Sequence, residues 1–489
     1  MNHGVAGSYL AIDLGASSGR AVVGTLDGGA MRMQEVHRFP TPMIERDGHL
    51  YWDVENMWAE IRSGVAKAFS CGPLRSISVD SWAVDYVPLD ATGSALRNPY
   101  SYRDQRTAGR LEVAIRLAGG ADALYDRTGI QFLPFNTLPQ IVADIQDEPG
   151  LVSQTATRLL IAEYFLYRLS GRKVAEATMA STTQLVDART GQWATDLLAA
   201  IGDDAARWPP VVPCGTTLGP LLPELVSPGA GERPMVIASC AHDTAAAVAA
   251  VPAAAGAWAF ISSGTWSLVG AELQSPVLTR EAREAGFTNE AGIDGTVRFL
   301  KNRAGMWVLE ECRREWETEG TPFTHDAIFQ AAAASQSPGV TVDLNAPAFA
   351  ARGGMMRALA DACNEQGASI PGTHGQIARL ILESLATSHA DALDQLESVT
   401  RTHADDVYIV GGGALNDLLN QLTADRCGRR VLAGPAEATV LGNLLVQARA
   451  LGDLPAGVSV REAARRSTHI REFTSQPAAP AHGSASLAL

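Results

Sequence analysis

The sequence predicts an α/β protein made of two similar domains, and three observations carry the prediction. The chain has 489 residues, more than one compact core usually holds. Its opening reads as three meandering strands, a helix and another strand, an order that matches neither a dinucleotide-binding repeat nor a barrel. The pattern "YLAIDLGASSGRAVVGTL" (Tyr9–Leu26), two apolar strands around a glycine-serine turn, returns as "GAWAFISSGTWSLVGAEL" (Gly256–Leu273), a weak internal duplication. Two such halves facing each other set two glycine turns across one cleft.

In order, "YLAIDLG" is a buried strand and "GRAVVGTLDGG" its hairpin partner, with Asp27-Gly28 as the turn signal. "MRMQEVHRFP" alternates as a third strand. "DVENMWAEIRSGVAKAF" places Met57, Ile61 and Val65 on one helical face behind Asp53 as N-cap. "SISVDSWAVDYVPLD" returns to strand. "PMVIASC" is another strand, and "DTAAAVAAV" the helix after it, with Asp243 at or near the N-cap. Pro252 breaks that helix within "AAVPAAA" (Ala249–Ala255) and sets the expected boundary, domain one covering 1–248 and domain two 249–473. "DVYIVGGGALNDLLNQLTADRCGRRVLAG" gives strand, triple-glycine turn, helix and strand. The low-complexity tail 474–489 is expected to be disordered.

The net charge of −14 argues against non-specific nucleic-acid binding and against an anionic membrane surface. It leaves phosphate ligands open, because glycine loops and helix N-termini hold them without net positive charge. The six cysteines (Cys71, Cys214, Cys240, Cys312, Cys363, Cys427) form no C-x-x-C pair, so reduced thiols are expected rather than a zinc site. With no basic leader and no bilayer-length apolar run, a cytoplasmic protein is expected, monomer or dimer.

Six motifs carry possible chemistry. In "DLGASSGR" (Asp13–Arg20), backbone N–H groups and the hydroxyls of Ser17 and Ser18 suit phosphate oxygens, and Asp13 at the strand end suits Mg²⁺. Alone, it reads better as an ordinary hairpin with a capping Asp, because glycine-serine turns are common, and it is no Walker A loop. "SSGTWSL" (Ser262–Leu268) repeats the chemistry with Gly264 and Thr265. "VGGGALN" (Val410–Asn416) suits close approach to a bulky ligand group, or simply a helix entry at positive φ. "HDT" (His242–Thr244) sets an ionisable pair before an alanine run whose small side chains leave room for a substrate; Asp before alanines is also a common helix start. "SYRDQRT" (Ser101–Thr107) is dense in charge, a solvated salt-bridged loop on the plain reading. "TGIQFLPFNTLPQ" (Thr128–Gln140) sets Gln131 and Asn136 among Phe132, Leu133 and Phe135, polar groups among rigid apolar ones as in a sugar site.

Taken together, Asp13-Leu-Gly…Ser-Gly-Arg20, Tyr102-Arg-Asp-x-Arg106, His242-Asp-Thr244, Ser262-Ser-Gly-Thr265 and Gly411-Gly-Gly413 resemble the FGGY carbohydrate kinases. "GIQFLPFNTL", "LKNRAGMW" and "GPAEATVLGN" carry a closer likeness to those members that phosphorylate L-rhamnulose, from about Tyr9 to Phe473. The resemblance implies two ribonuclease-H-like, actin-like domains facing across a catalytic cleft. ATP and Mg²⁺ would be the cofactors, and a ketose such as L-rhamnulose, L-fuculose or L-xylulose the acceptor. Position by position it makes Asp243 the general base, and His242, Thr244 and Asn302 sugar contacts. Ala16, Ser17, Ser18, Gly19 and Arg20 would line the ATP phosphates, with Thr265 and Gly412 also on ATP. Arg103, Gln131 and Asn136 complete the expected sugar side. Two positions depart from the family pattern. Ala83 stands where Gly is frequent beside the sugar, and Glu310 where an ATP-contacting Gln is expected. An actin-like ATPase switch is the rival reading, but it has no need of sugar-side residues.

Overall fold

The computed structural model describes residues 7–227, 229, 231–254, 256–349 and 353–476; of the tail expected to be disordered, 477–489 lie outside the described residues. Among these residues the chain divides into two compact units. The first is built from the chain up to Gly256, from Gly270–Asn302 and from Gly434–His469. The second is built from Ala257–Val269, Arg303–Ala433 and the chain from Ile470.

In the first unit, β1 (Ser8–Leu14), β2 (Ser18–Asp27) and β3 (Ala30–Pro40) form an antiparallel meander, as the alternation predicts. The turn after Asp27 uses Gly28 and Gly29 at φ 58° and 86°, which the absence of a Cβ permits. Asp53 caps α1 (Val54–Ser70) by accepting from Asn56 N at 3.1 Å, and Met57, Ile61 and Val65 are buried beneath it. Strand Leu74–Ser81 runs parallel to β1, and Met235–Ala238 runs parallel to it in turn. Thr216–Pro220 closes the six-stranded sheet antiparallel.

Two expectations are corrected. "SISVDSWAVDYVPLD" is not one strand: it breaks after Ser81 and resumes as Tyr86–Leu89, which pairs with Thr157–Leu160 outside the main sheet. The alanine run after Asp243 does not leave open space. Ala245–Ala249 are buried, and their helix (Asp243–Ala249) packs on helix Ala438–Ala450 so closely that a Cβ at Gly442 would stand 1.8 Å from Ala246 O. Small residues serve helix–helix approach here, as close packing requires.

Helix Ala438–Ala450 also satisfies the sheet's inner polar groups. Gln447 Nε2 donates to Leu10 O at 3.1 Å, and its Oε1 accepts from Ser76 Oγ at 2.7 Å. Asn443 Nδ2 donates to Asp80 Oδ2 at 2.5 Å.

In the second unit, strands Trp258–Ser263, Asp406–Val410 and Arg430–Ala433 are parallel neighbours, and Arg471–Phe473 adds antiparallel at the edge. Helices Trp307–Thr318, Met355–Glu365 and His374–Thr400 pack around Leu309, Trp316, Leu359 and Leu382. All six cysteines are free thiols.

Candidate active site

Strand pairing brings two carboxylates to one end of the first unit's sheet. Parallel register sets Asp13 opposite Asp80, and antiparallel register sets Asp13 opposite Arg20. Arg20 donates from Nε (2.9 Å) and Nη2 (2.8 Å) to Asp13 Oδ2 and also pairs with Glu437. The intervening turn is tied by Gly15 N to Ser18 O (3.0 Å) and by Thr41 Oγ1 to Gly15 O (2.8 Å). Ser17 is exposed and Ala16 and Ser18 are partly so. Gly19 has a packing reason: a Cβ there would meet the Phe39 ring at 2.5 Å.

Asp80 is a functional candidate that sequence reasoning missed, because it sits inside an apolar strand and reads as an ordinary alternation. It is fully buried, and its Oδ1 has no hydrogen-bond partner. Burial and the neighbouring Asp13 carboxylate hold its pKa well above the usual range; Asp243 adds to this, while Asn443 and Arg20 oppose it.

Asp243 is the first residue of its helix, with His242 as N-cap. Its side chain is 34% exposed, and Oδ1 accepts from Thr244 N (2.5 Å) and Thr244 Oγ1 (3.1 Å). Burial raises its pKa and Asp13 adds to the effect, against the opposing influence of His242 and Thr244. His242 is fixed on both sides. Its Nδ1 lies 3.1 Å from Arg298 Nη2, and Arg298 in turn pairs with Glu290 at 3.0 Å. Nδ1 also lies 3.4 Å from Glu290 Oε2, and Nε2 lies 3.4 Å from Asp243 Oδ1. The loop entering His242 is held by Glu176, whose Oε2 accepts from Ala241 N (3.1 Å) and Thr178 Oγ1 (2.5 Å).

The expected sugar residues fall into linked groups. Asn302 Nδ2 donates to Gln131 Oε1 (3.2 Å), and Asn136 Nδ2 donates to Gln131 O (2.8 Å) and Gln184 Oε1 (3.2 Å). Arg298 and Asn302 lie four apart on strand Val297–Ala304, hence on one face, so one strand reaches both His242 and Gln131. Arg103 lies over the Tyr102 ring at 5.3 Å. Burial raises the Tyr102 phenol's pKa; Arg103 opposes this, while Asp85 and Asp243 add to it. Asp104 and Arg106 are not a solvated pair. Asp104 is buried and accepts from Leu50 N at 2.7 Å, and Arg106 pairs with Asp144 at 2.6 Å. Ala83 stands in the break between strands, beside Val84 at φ 70°.

In the second unit, the turn after strand Trp258–Ser263 contains Thr265. Gly264 O and Thr265 O accept from Met306 N (2.9 Å) and Trp307 N (3.2 Å). Gly305 permits this: a Cβ there would meet Thr265 O at 2.6 Å and Gly264 O at 2.7 Å. Of the three glycines, Gly411 supplies φ 82°, and Gly413 lies against Ser263, where a Cβ would stand 2.0 Å from Oγ. Gly412 has open space where its Cβ would be. Glu310 is half exposed and pairs with Arg313 at 2.5 Å.

The N-terminal domain of the FGGY family of carbohydrate kinases matches residues 8–250, and its C-terminal domain matches 259–451. A curated rhamnulokinase of Bacillus subtilis is 38% identical over 467 residues, 95% of each chain. One from Klebsiella pneumoniae is 39% identical over 471 residues, 96% of this chain and 94% of that one. Among solved structures, a gluconate kinase from Lactobacillus acidophilus superposes with TM-score 0.78 at 17% identity, covering 97% of this chain and 94% of that chain. A xylulose kinase from the same organism gives 0.78 at 18%, covering 96% and 94%. The fold is therefore the actin-like α/β fold of sugar kinases.

Proposed function

Because the chain belongs to the FGGY family of carbohydrate kinases, we propose that it transfers the γ-phosphoryl group of ATP to O1 of L-rhamnulose. The products are L-rhamnulose 1-phosphate and ADP, and the reaction serves L-rhamnose breakdown in the cytoplasm. Among the described residues no helix is long and apolar enough to cross a membrane.

The observation that carries the chemistry is the Asp243 carboxylate. It is partly exposed, oriented by Thr244, and raised in pKa by burial and by Asp13. A carboxylate made more basic in this way accepts the proton that the sugar hydroxyl loses as it attacks phosphorus. His242, clamped by Arg298 and Glu290, offers its Nε2 side toward the same oxygens. Thr244, Asn302, Gln131, Asn136, Arg103 and the backbone at Ala83 supply the hydrogen bonds that fix the ketose. Residues 16–20, Thr265, Gly412 and Glu310 serve the nucleotide. In this reading domain 1–248 carries the base, most of the sugar contacts and the first phosphate turn, and domain 249–473 carries the remaining ATP contacts and Asn302.

The donors at the end of β1 suit Mg²⁺. Asp13 and Asp80 are hard oxygen ligands opposite each other in register, and Asp80 keeps one buried oxygen unpaired. Among the described residues no cluster of three or more ligating side chains forms a closed cage, and Mg²⁺ keeps waters and shares phosphate oxygens instead of needing one. Bound there, the ion supplies neutralisation of the phosphate charge.

The test is ADP release with a panel of ketoses. L-Rhamnulose is expected to give the highest kcat/KM. A higher value for L-fuculose or L-xylulose reassigns the substrate, and ATP hydrolysis indifferent to any sugar replaces the kinase with a switch.

A further inference from the structure

The break between strands Leu74–Ser81 and Tyr86–Leu89 holds an unusual turn. Asp85 N donates to Ala83 O at 3.0 Å across Val84, whose φ is 70°. That is a γ-turn of the rare, strained hand, with a β-branched residue at its centre. Such strain persists only where the surroundings over-determine the conformation, and it gathers at functional positions. Here Val84 O accepts from Thr137 Oγ1 (2.7 Å) and Gln140 Nε2 (3.4 Å). The stronger restraint is the Asp85 side chain, which is fully buried.

The Asp85 carboxylate accepts four hydrogen bonds from four separate segments. Oδ2 takes Trp52 Nε1 (2.7 Å), Trp82 Nε1 (3.0 Å) and Tyr102 N (3.1 Å), and Oδ1 takes Gln140 Nε2 (3.0 Å). Every donor is neutral. Burial raises its pKa to about 6 even though all four bonds pull it down. For packing alone, a buried charge without a cationic partner is an expensive choice.

The donors stand beside the proposed sugar contacts. Trp82 precedes Ala83, and Tyr102 precedes Arg103. Gln140 lies one helical turn beyond Asn136, donating its N–H to Asn136 O at 3.3 Å. Trp52 and Trp82 lie against each other at 4.3 Å, Trp52 and Tyr102 at 6.2 Å, and Tyr102 and Phe135 at 5.9 Å.

We propose that Asp85 is the positioning residue of the sugar site, gripping Trp52, Trp82, Tyr102 and Gln140 so that the strained turn presents Ala83, Arg103 and Asn136 in one fixed arrangement. Asp85 touches no substrate itself. The proposal rests on the sugar-site reading above.

Asp85→Asn puts an NH₂ group where an acceptor is needed at nearly unchanged volume. In the full chain it is expected to raise KM for the ketose about tenfold or more, the scale of losing a hydrogen bond to a charged group. KM for ATP should stay within about twofold, and the tryptophan emission should shift as Trp52 and Trp82 lose their partner. Trp82→Phe keeps an aromatic ring, though a smaller one, and deletes one donor. It should raise the ketose KM by a smaller factor, and the double variant should cost less than the product of the two singles, because both act through one contact. If Asp85→Asn does not fold, Trp82→Phe decides alone. Equal rises in both KM values, or a lowered melting temperature with both KM values unchanged, overturn the proposal. The ketose used is whichever the wild-type chain turns over best. A wild-type chain that turns over none removes the sugar site itself, and this proposal with it.

Discussion

The two glycine turns that look alike in sequence are held in different ways. In the first, Asp13 to Arg20, the strand ends carry charge: Arg20 bridges Asp13 and Glu437, and Asp80 lies opposite Asp13 in the sheet. In the second, around Thr265, the hold is between backbones. Its carbonyls are caught by the N–H groups of Met306 and Trp307, and Gly305 lets those backbones meet. A repeated strand–turn–strand pattern thus specifies a backbone shape. What differs is what stands at its ends, here carboxylates and an arginine on one side and bare peptide groups on the other.

The largest test of that contrast lies on the charged side. Asp243→Asn should lower kcat by roughly 10²–10⁴-fold with ATP affinity retained. In the wild type, the raised pKa places the acid limb of kcat above the ordinary 3.8 of an aspartate, activity falling as the pH drops through it. The variant's residual rate should lack that limb. Near-normal turnover in the variant takes Asp243 out of the mechanism.

Asp13→Ala follows. It should weaken the apparent affinity for Mg²⁺ by roughly 10–100-fold, on the scale of ligand-shell losses, while ketose binding is spared. A Mg²⁺ titration at fixed ATP reads it, and an unchanged midpoint counts against any metal role for Asp13.

On the uncharged side the effect should be steric. Gly305→Ala drives a methyl into the carbonyls of Gly264 and Thr265, at a cost of about 1–3 kcal/mol in unfolding experiments. KM for ATP should rise and that for the ketose should not. If the ketose KM rises equally, the two turns do not divide the labour as described.

Glu310→Gln is the smallest. Glu310 is half exposed and paired with Arg313, a contact worth at most about 1 kcal/mol. KM for ATP should move by less than about fivefold, and a larger change would give Glu310 a direct part in nucleotide binding.

Much of the first unit was legible because its elements are long and periodic: β1 to β3 and α1 follow alternation and helical spacing, and Asp53 caps as such residues do. Three things were hidden. The interruption at Val84 has no local signal, since a β-branched residue in "WAVDY" favours strand, and only the tertiary grip of Asp85 and α-helical Thr137 and Gln140 forces the turn. Asp80, Glu290 and Arg298 matter because strands distant in sequence set them beside Asp13 and His242. The alanines after Asp243 were read as space because a sequence does not show that Gly442, some two hundred residues later, packs against them. The candidate site residues that the sequence does offer, Asp13, Arg20, His242, Asp243 and Thr244, all stand at strand ends or turns, where a polar residue interrupts an apolar run.

Helix Ala438–Ala450 belongs to the first unit yet is encoded almost last, and this has a consequence for synthesis. Until it arrives, Gln447 is missing from Ser76 and Leu10, Asn443 from Asp80, and the alanine face of the Asp243 helix has no cover. At roughly 5–20 residues per second, a ribosome needs about 10–40 s to travel from the end of the unit's first stretch to the end of its last. Through that interval the nascent chain holds an unfinished sheet and a buried-to-be carboxylate open to water. The first unit is therefore completed late, after all of the second unit except the stretch that begins at Ile470 has been made.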